Sequence, residues 1–195
     1  MIQQQDRSGW FGASDVCQIM SNWDTKTFEN WWLEKLGLRK SNLRTDAMMA
    51  GTNYEHAILK AIGAPRMDHQ ILLPEFQLRV NLDGDAPGEI FEVKTHMASK
   101  EFKPTKAYIR QVNVQMYAKA QEEDRTPRGT IISYALMEDD YKNYFHEIDK
   151  KRLRKHRVEY DKEFVLEFLQ RCMDLKIYLE KGVFPRARNA CRHVR

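Results

Sequence analysis

The chain has 195 residues, 42% of them hydrophobic and 11% aromatic, which suits one globular domain with a real core and excludes a disordered polymer. Its three cysteines, Cys17, Cys172 and Cys191, are far apart and form no CxxC pair, which argues against a disulfide framework, structural zinc or an iron–sulfur cluster and leaves buried free thiols as the expectation. The net charge of +4 is modest, no apolar run is long enough to cross a bilayer, and the N-terminus lacks the apolar core of a signal peptide, so a cytoplasmic protein is expected.

In chain order, Arg7-Ser-Gly-Trp-Phe-Gly-Ala-Ser14 precedes a short helix that Ser14 is placed to N-cap. A helix start with a hydroxyl and a nearby Arg is a natural phosphate site; the bland alternative is a simple cap with a solvated Arg. The spacing of Phe28, Trp31, Trp32, Lys35 and Leu36 predicts an amphipathic helix over Thr25 to Leu36, stopped by Gly37, with its aromatic stripe in the core. A second helix is predicted from about Asp46 to Gly63 and carries Glu55. After Pro65 the texture changes to strands, His69 to Leu73, Phe76 to Leu82 and Glu89 to Thr95. A helix over Thr105 to Ala120 follows Pro104, with Tyr108, Gln111 and Gln115 near one face. Thr130 to Tyr134 reads as a further strand. Lys150-Lys-Arg-Leu-Arg-Lys-His-Arg157 packs six Lys/Arg into eight residues, a solvated face or, beside an anionic-substrate site, a backbone clamp. A long helix from about Asp161 ends near Gly182, with Met173 and Ile177 among its packing residues, and the basic tail 186–195 has no apolar period. This order describes an α/β (α+β) fold, a mixed central sheet flanked by helices, with no domain boundary inside 1–195.

Chemistry gathers at Asp83-Gly-Asp-Ala-Pro-Gly-Glu-Ile-Phe-Glu92-Val-Lys94, read as a hairpin with Gly84, Pro87 and Gly88 as turn formers. Period-two alternation sets Ile90, Glu92 and Lys94 on one face of the second strand and Phe91 and Val93 on the other. Asp83 can bring a second carboxylate to the space shared by Glu92 and Lys94. Two carboxylates about 4 Å apart repel by roughly 1 to 4 kcal/mol unless a cation intervenes. Oxygen ligands favour Mg²⁺ or Mn²⁺, and a lysine alongside can hold water or stabilise a phosphate. The competing reading is a surface hairpin with scattered charges.

The ordered set Arg7…Ser14, Gly51-Thr-Asn-Tyr-Glu55, Leu82-Asp83-Gly84, Glu92-Val-Lys94 and Gln111-Val-Asn-Val-Gln-Met-Tyr117 resembles the phage lambda exonuclease and YqaJ-type recombinase family of PD-(D/E)XK nucleases. The resemblance implies a restriction-endonuclease-like core. It also implies Mg²⁺, with Mn²⁺ substituting, on Asp83, Glu92 and the Val93 carbonyl, with Glu55 assisting. Lys94 and Gln111 join Asp83 and Glu92 as catalytic residues, and Arg7, Ser14 and Gln111 inherit contacts to a DNA 5′ phosphate. Leu82 replaces the family's proline and Asn113 the second glutamine of its QVQ. Asp83 fits the motif better than Asp85, which keeps a minority claim. The implied activity is exonucleolytic hydrolysis of duplex DNA ends, 5′ to 3′, in phage-type recombination. A homo-oligomer, a trimer by resemblance, and a single-strand annealing protein are the implied partners. An endonuclease or junction resolvase on the same core, and a DNA-binding module without catalysis, are the alternatives.

Overall fold

The computed structural model describes residues 8–40, 46–144 and 146–185, apart from the side chains at 46–48. Its centre is a five-stranded sheet in the order β1-β2-β3-β4-β5: β1 Arg66–Leu73, β2 Leu78–Ala86, β3 Glu89–Met97, β4 Arg128–Leu136 and β5 Leu153–Val158. Pairing is antiparallel except between β3 and β4, which run parallel because α4 (Lys106–Glu123) crosses over between them. The mixed sheet between helices is the expected fold class. No helix among the described residues is long and apolar enough to cross a membrane.

Two apolar layers follow from the alternation of the strands. Ile90 and Ile131 face the larger core, with Val112 and Met116 of α4, Phe168 and Leu175 of α5 (Lys162–Glu180), Val16 and Ile19 of the short α1 (Val16–Ile19), and Phe28, Trp31 and Trp32 of α2 (Lys26–Lys35). Val93, Ile132 and Tyr134 point the other way, onto Tyr54, Ile58 and Leu59 of α3 (Asp46–Ala61). The aromatic stripe of α2 is therefore core, as its spacing predicts. Side-chain caps start the helices where the sequence places them. Thr25 accepts from Phe28 N at 3.2 Å, Thr105 from Tyr108 N at 3.2 Å and Asp161 from Phe164 N at 2.9 Å, each contributing about 1 kcal/mol.

Several local expectations are corrected. Phe76 lies in a 3-10 turn, Pro74–Phe76, and the strand begins at Leu78 and runs through Asp83 to Ala86. Gly84 is thus a strand residue, and the turn is made at Pro87 and Gly88, whose φ of +73° suits glycine. Gly84 has a different use: a Cβ there would stand 2.6 Å from Leu59 Cδ2, so its bare backbone lets α3 settle onto β2. Ser14 does not cap. It lies exposed within a 3-10 turn, Ala13–Asp15, and the Asp15 carboxylate accepts from Gly12 N at 2.7 Å. The basic run contains strand β5, which its charge conceals. Met173 and Ile177 are exposed, and Cys17 is an exposed free thiol while Cys172 is buried. Arg7, Cys191 and the tail 186–195 lie outside the described residues.

Candidate active site

The site opens where the hairpin splits. Strands β2 and β3 pair only at Gly84↔Phe91, Asp85↔Ile90 and Ala86↔Glu89. Beyond that point β2 stays with β1 and β3 with β4, and the main-chain N–H of Val93 donates to Asp83 Oδ2 at 2.8 Å. The freed edge of β2 is taken by the N-terminal segment, with Arg79 N donating to Phe11 O at 2.8 Å and Phe11 N to Gln77 O at 2.9 Å. Between the diverging strands lies a cavity of about 230 Å³ whose lining includes Asp83, Glu92, Val93, Lys94, Glu55 and Gln111 together with Gly12, Ser14, Lys35 and Arg79.

Glu92 is almost fully buried, 2% exposed, and remains tolerable as a carboxylate because donors surround it. Its Oε1 accepts from Lys94 Nζ at 2.6 Å and Gln111 Nε2 at 2.7 Å, and its Oε2 from Gln115 Nε2 at 2.6 Å. Gln111 and Gln115 are four residues apart on α4, so one helix face grips both oxygens. Sequence reading puts Gln115 on that face without giving it a role. Asn113 points away and holds α5, accepting from Asp161 N at 2.6 Å and donating to Glu159 O at 3.2 Å.

Glu55 enters from α3. Gly51, Glu55 and Leu59 recur every four residues on one helix face, and a Cβ at Gly51 would lie 3.3 Å from Thr95 Oγ1. The glycines at 51 and 84 therefore let α3 approach the sheet closely enough for Glu55 to reach the cavity. Burial, reinforced by the charge of Glu92, pushes the Glu55 carboxyl up to about 7. Asp83 is raised well above the ordinary carboxylate range, first by burial and then by Glu92 and Glu55. For Lys94, burial works against the charge, but Glu92 and Asp83 outweigh it and hold the ammonium above its usual value. The carboxylates of this lining offer oxygen donors whose mutual repulsion a hard divalent cation would relieve, so these residues fit Mg²⁺ or Mn²⁺. Glu55 also stands beside His56 and Asp68, and ligand atoms of the three lie within 4.8 Å of one another; sequence reading missed that cluster. His56 Nε2 is 2.9 Å from Asp68 Oδ2.

Tyr108 places its ring under Lys94, with Nζ 4.8 Å from the centroid, and Phe102 lies nearly parallel to that ring at 6.3 Å. The ring attracts and aims the ammonium. Tyr108→Leu is accordingly expected to lower kcat about fivefold to tenfold with KM unchanged, whereas Tyr108→Phe, which keeps the π face, stays close to wild type. Steady-state kinetics on both variants checks this.

The carboxylates also set a pH dependence. In metal-free protein Glu55 titrates near 7 folded and near 4.5 when unperturbed, so between those values the folded state binds more protons. The contribution of this group to stability is greatest below 4.5 and falls as pH rises to about 7, by on the order of 3 kcal/mol. Thermal unfolding in EDTA across this window should show a decline that Glu55→Gln removes and that Mg²⁺ opposes.

Asp85, the minority candidate, is placed elsewhere. It is 1% exposed and pairs with Arg66 at 2.5 Å and Lys119 at 2.8 Å, tying β1 and α4 to the hairpin, with His69 Nδ1 3.3 Å away. Asp15 anchors Lys35 of the cavity lining. Its carboxylate pairs with Lys35 Nζ at 2.5 Å and accepts from Trp31 Nε1 at 3.0 Å. Lys35 and Arg79 were not singled out for the site, although a lysine on the apolar stripe of α2 was a legible signal.

The mixed sheet flanked by helices is a fold shared with solved exonucleases. The chain superposes on the alkaline exonuclease of Laribacter hongkongensis with a TM-score of 0.67 at 21% identity, covering 90% of each chain. The same enzyme in complex with dAMP gives the same figures. A phage-related exonuclease from Haemophilus somnus matches with a TM-score of 0.65 at 12% identity, over 88% of this chain and 94% of that one. No protein-family model and no curated protein sequence matches. The resemblance read from the motifs is borne out at the level of the fold.

Proposed function

We propose that this chain is a metal-dependent deoxyribonuclease that hydrolyses phosphodiester bonds at the ends of duplex DNA, from the 5′ end, as in phage-type recombination. The observation that carries this reading is the convergence of Asp83, Glu92, Lys94 and Glu55 at the split of β2 and β3, in one cavity that Lys35 and Arg79 also line. The fold match to exonucleases and the dAMP complex of one of them support the substrate class.

Asp83, Glu92 and the Val93 carbonyl would hold Mg²⁺, or Mn²⁺ in its place, with Glu55 assisting. When bound, that ion lowers the pKa of water and neutralises charge on the phosphate. Gln111 and Gln115 fix the Glu92 carboxylate. Lys94, charged and aimed by Tyr108 and Glu92, orients the attacking water and stabilises the phosphorane oxygens, so its work is electrostatic before it is acid–base. Lys35, Arg79 and Ser14, with Arg7 by resemblance, take the terminal phosphate, and Gln111 contributes by resemblance. A homo-oligomer encircling DNA and an annealing partner are part of the same proposal, with action in the cytoplasm.

An endonuclease on the same core is disfavoured because Ser14 lines the cavity and, with Arg7 by resemblance, suits a terminal phosphate. Linear and covalently closed circular duplexes, each incubated with Mg²⁺ and with EDTA, separate the two readings. Degradation of the linear form alone, in Mg²⁺ alone, is the expected result; cutting of the closed circle would reject end-directed hydrolysis.

A further inference from the structure

Beside the oxygen-lined cavity stands a second group of ligating side chains, two of which the chemistry above leaves unused. Glu55 and His56 are consecutive on α3, and Asp68 lies in β1, the strand that follows α3 after residues 62–65. One ligand atom from each of the three lies within 4.8 Å of the other two, and His56 Nε2 is 2.9 Å from Asp68 Oδ2. An ion bonded to nitrogen and oxygen at about 2.0 to 2.2 Å holds its ligand atoms roughly 3 to 4 Å apart, so small side-chain rotations close the three onto one centre. All three are half-buried, which leaves water room to complete the coordination.

The imidazole sets this group apart from Asp83, Glu92 and the Val93 carbonyl. Carboxylate and carbonyl oxygens suit Mg²⁺, whereas imidazole nitrogen suits zinc and its neighbours in the first transition row. One His, two carboxylates and a water make a donor set of the kind that zinc takes.

The two groups meet at Glu55, which also lines the cavity. Strands β1 and β2 pair at Met67↔Gly84 and His69↔Leu82, which sets Asp68 opposite Asp83. Opposed Cα atoms of antiparallel strands are only about 5 Å apart. Glu92 is pinned by Lys94, Gln111 and Gln115, but among the described residues no hydrogen-bond donor holds the Glu55 carboxylate. Glu55 is thus the one carboxylate of the cavity that is placed to serve either group.

We propose that Glu55, His56 and Asp68 bind a transition-metal dication, Zn²⁺ or a close neighbour, and that this ion draws Glu55 from the Mg²⁺ site and slows cleavage. The binding stands on the three side chains alone; the slowing rests on the cavity being a Mg²⁺-dependent nuclease site. The competing role for His56 and Asp68 is an ion pair that only ties α3 to β1.

The test titrates Zn²⁺ calorimetrically into the full chain carrying Cys17→Ser and Cys191→Ser, so that buried Cys172 is the one thiol left. Excess Mg²⁺ is present to fill the oxygen site. A single zinc ion per chain should bind. His56→Ala and Asp68→Asn should each weaken that binding about 100-fold, the upper end of what loss of a ligand's own hydrogen-bond partner costs, while Asp83→Asn should leave it unchanged. Metal-free thermal unfolding shows that each variant folds. Cleavage is then followed in saturating Mg²⁺ over a Zn²⁺ series, each protein scaled to its own zinc-free rate. The chain with intact His56 should lose most of its rate as the zinc site fills, and His56→Ala should need about 100-fold more zinc for the same loss. No zinc binding in Mg²⁺, or binding that Asp83→Asn abolishes and His56→Ala retains, overturns the site and leaves the ion pair. Binding that needs His56 while cleavage ignores zinc rejects the sharing of Glu55. Binding that needs His56 in a protein without any Mg²⁺-dependent cleavage keeps the zinc site and rejects the nuclease reading of the cavity.

Discussion

Lys94→Ala should cleave DNA about 10²- to 10³-fold more slowly while binding it as tightly as wild type. The ammonium sits 2.6 Å from Glu92 Oε1 and 3.5 Å from Gln111 Oε1, held on the face of Tyr108. Its removal takes from the cavity the one cation closely paired with the acidic group, yet it leaves Glu92 with Gln111 and Gln115 as donors, so the fold has no new unpaired buried carboxylate. The loss should therefore fall on kcat. Single-turnover digestion alongside a binding titration in EDTA reads both quantities, and a variant keeping most of its rate would remove Lys94 from the mechanism.

The second large effect is on stability, two residues from the proposed metal ligand. Asp85→Asn should destabilise the protein by about 3 kcal/mol, the low end for breaking a buried ion pair, because Lys119 keeps Glu123 at 3.2 Å. For a chain of this size that is a fall in Tm of roughly 6 to 12 °C. Asp85 is held below the usual carboxylate range: burial opposes its charge, but Arg66 and Lys119 outweigh burial. Asp83→Asn should do the opposite, abolishing cleavage while leaving metal-free Tm unchanged or higher, since it removes a carboxylate that Glu92 and Glu55 repel. Calorimetry of the two variants side by side separates the roles of the neighbouring aspartates.

The helix starts at Thr25, Thr105 and Asp161, the aromatic core of α2 and four of the five strands are legible because caps and periodicity are local signals, whereas the cap expected at Ser14 is not formed. The face shared by Glu92 and Lys94 followed from alternation alone, and Asp83 was preferred on motif order before its contacts were known. Three features resisted for physical reasons. Gly84 reads as a turn former in any local window, but its use is set by Leu59 of a helix distant in sequence. Strand β5 is hidden because an edge strand carries charge on residues that a buried strand would make apolar. The grip of Gln115 on Glu92, like the reach of Lys35 and Arg79 to the cavity lining, exists only after helix and sheet are packed, and no spacing in the sequence encodes it.

We propose above all that this cavity hydrolyses DNA ends with a divalent ion held by Asp83 and Glu92. Digestion of linear duplexes labelled at either 5′ or 3′ end, with and without a 5′ phosphate, in Mg²⁺ against EDTA, tests it most directly. The account predicts early release of the 5′ label, faster with the phosphate present, abolished by EDTA and by Asp83→Asn. Degradation that persists in EDTA or in Asp83→Asn would contradict it.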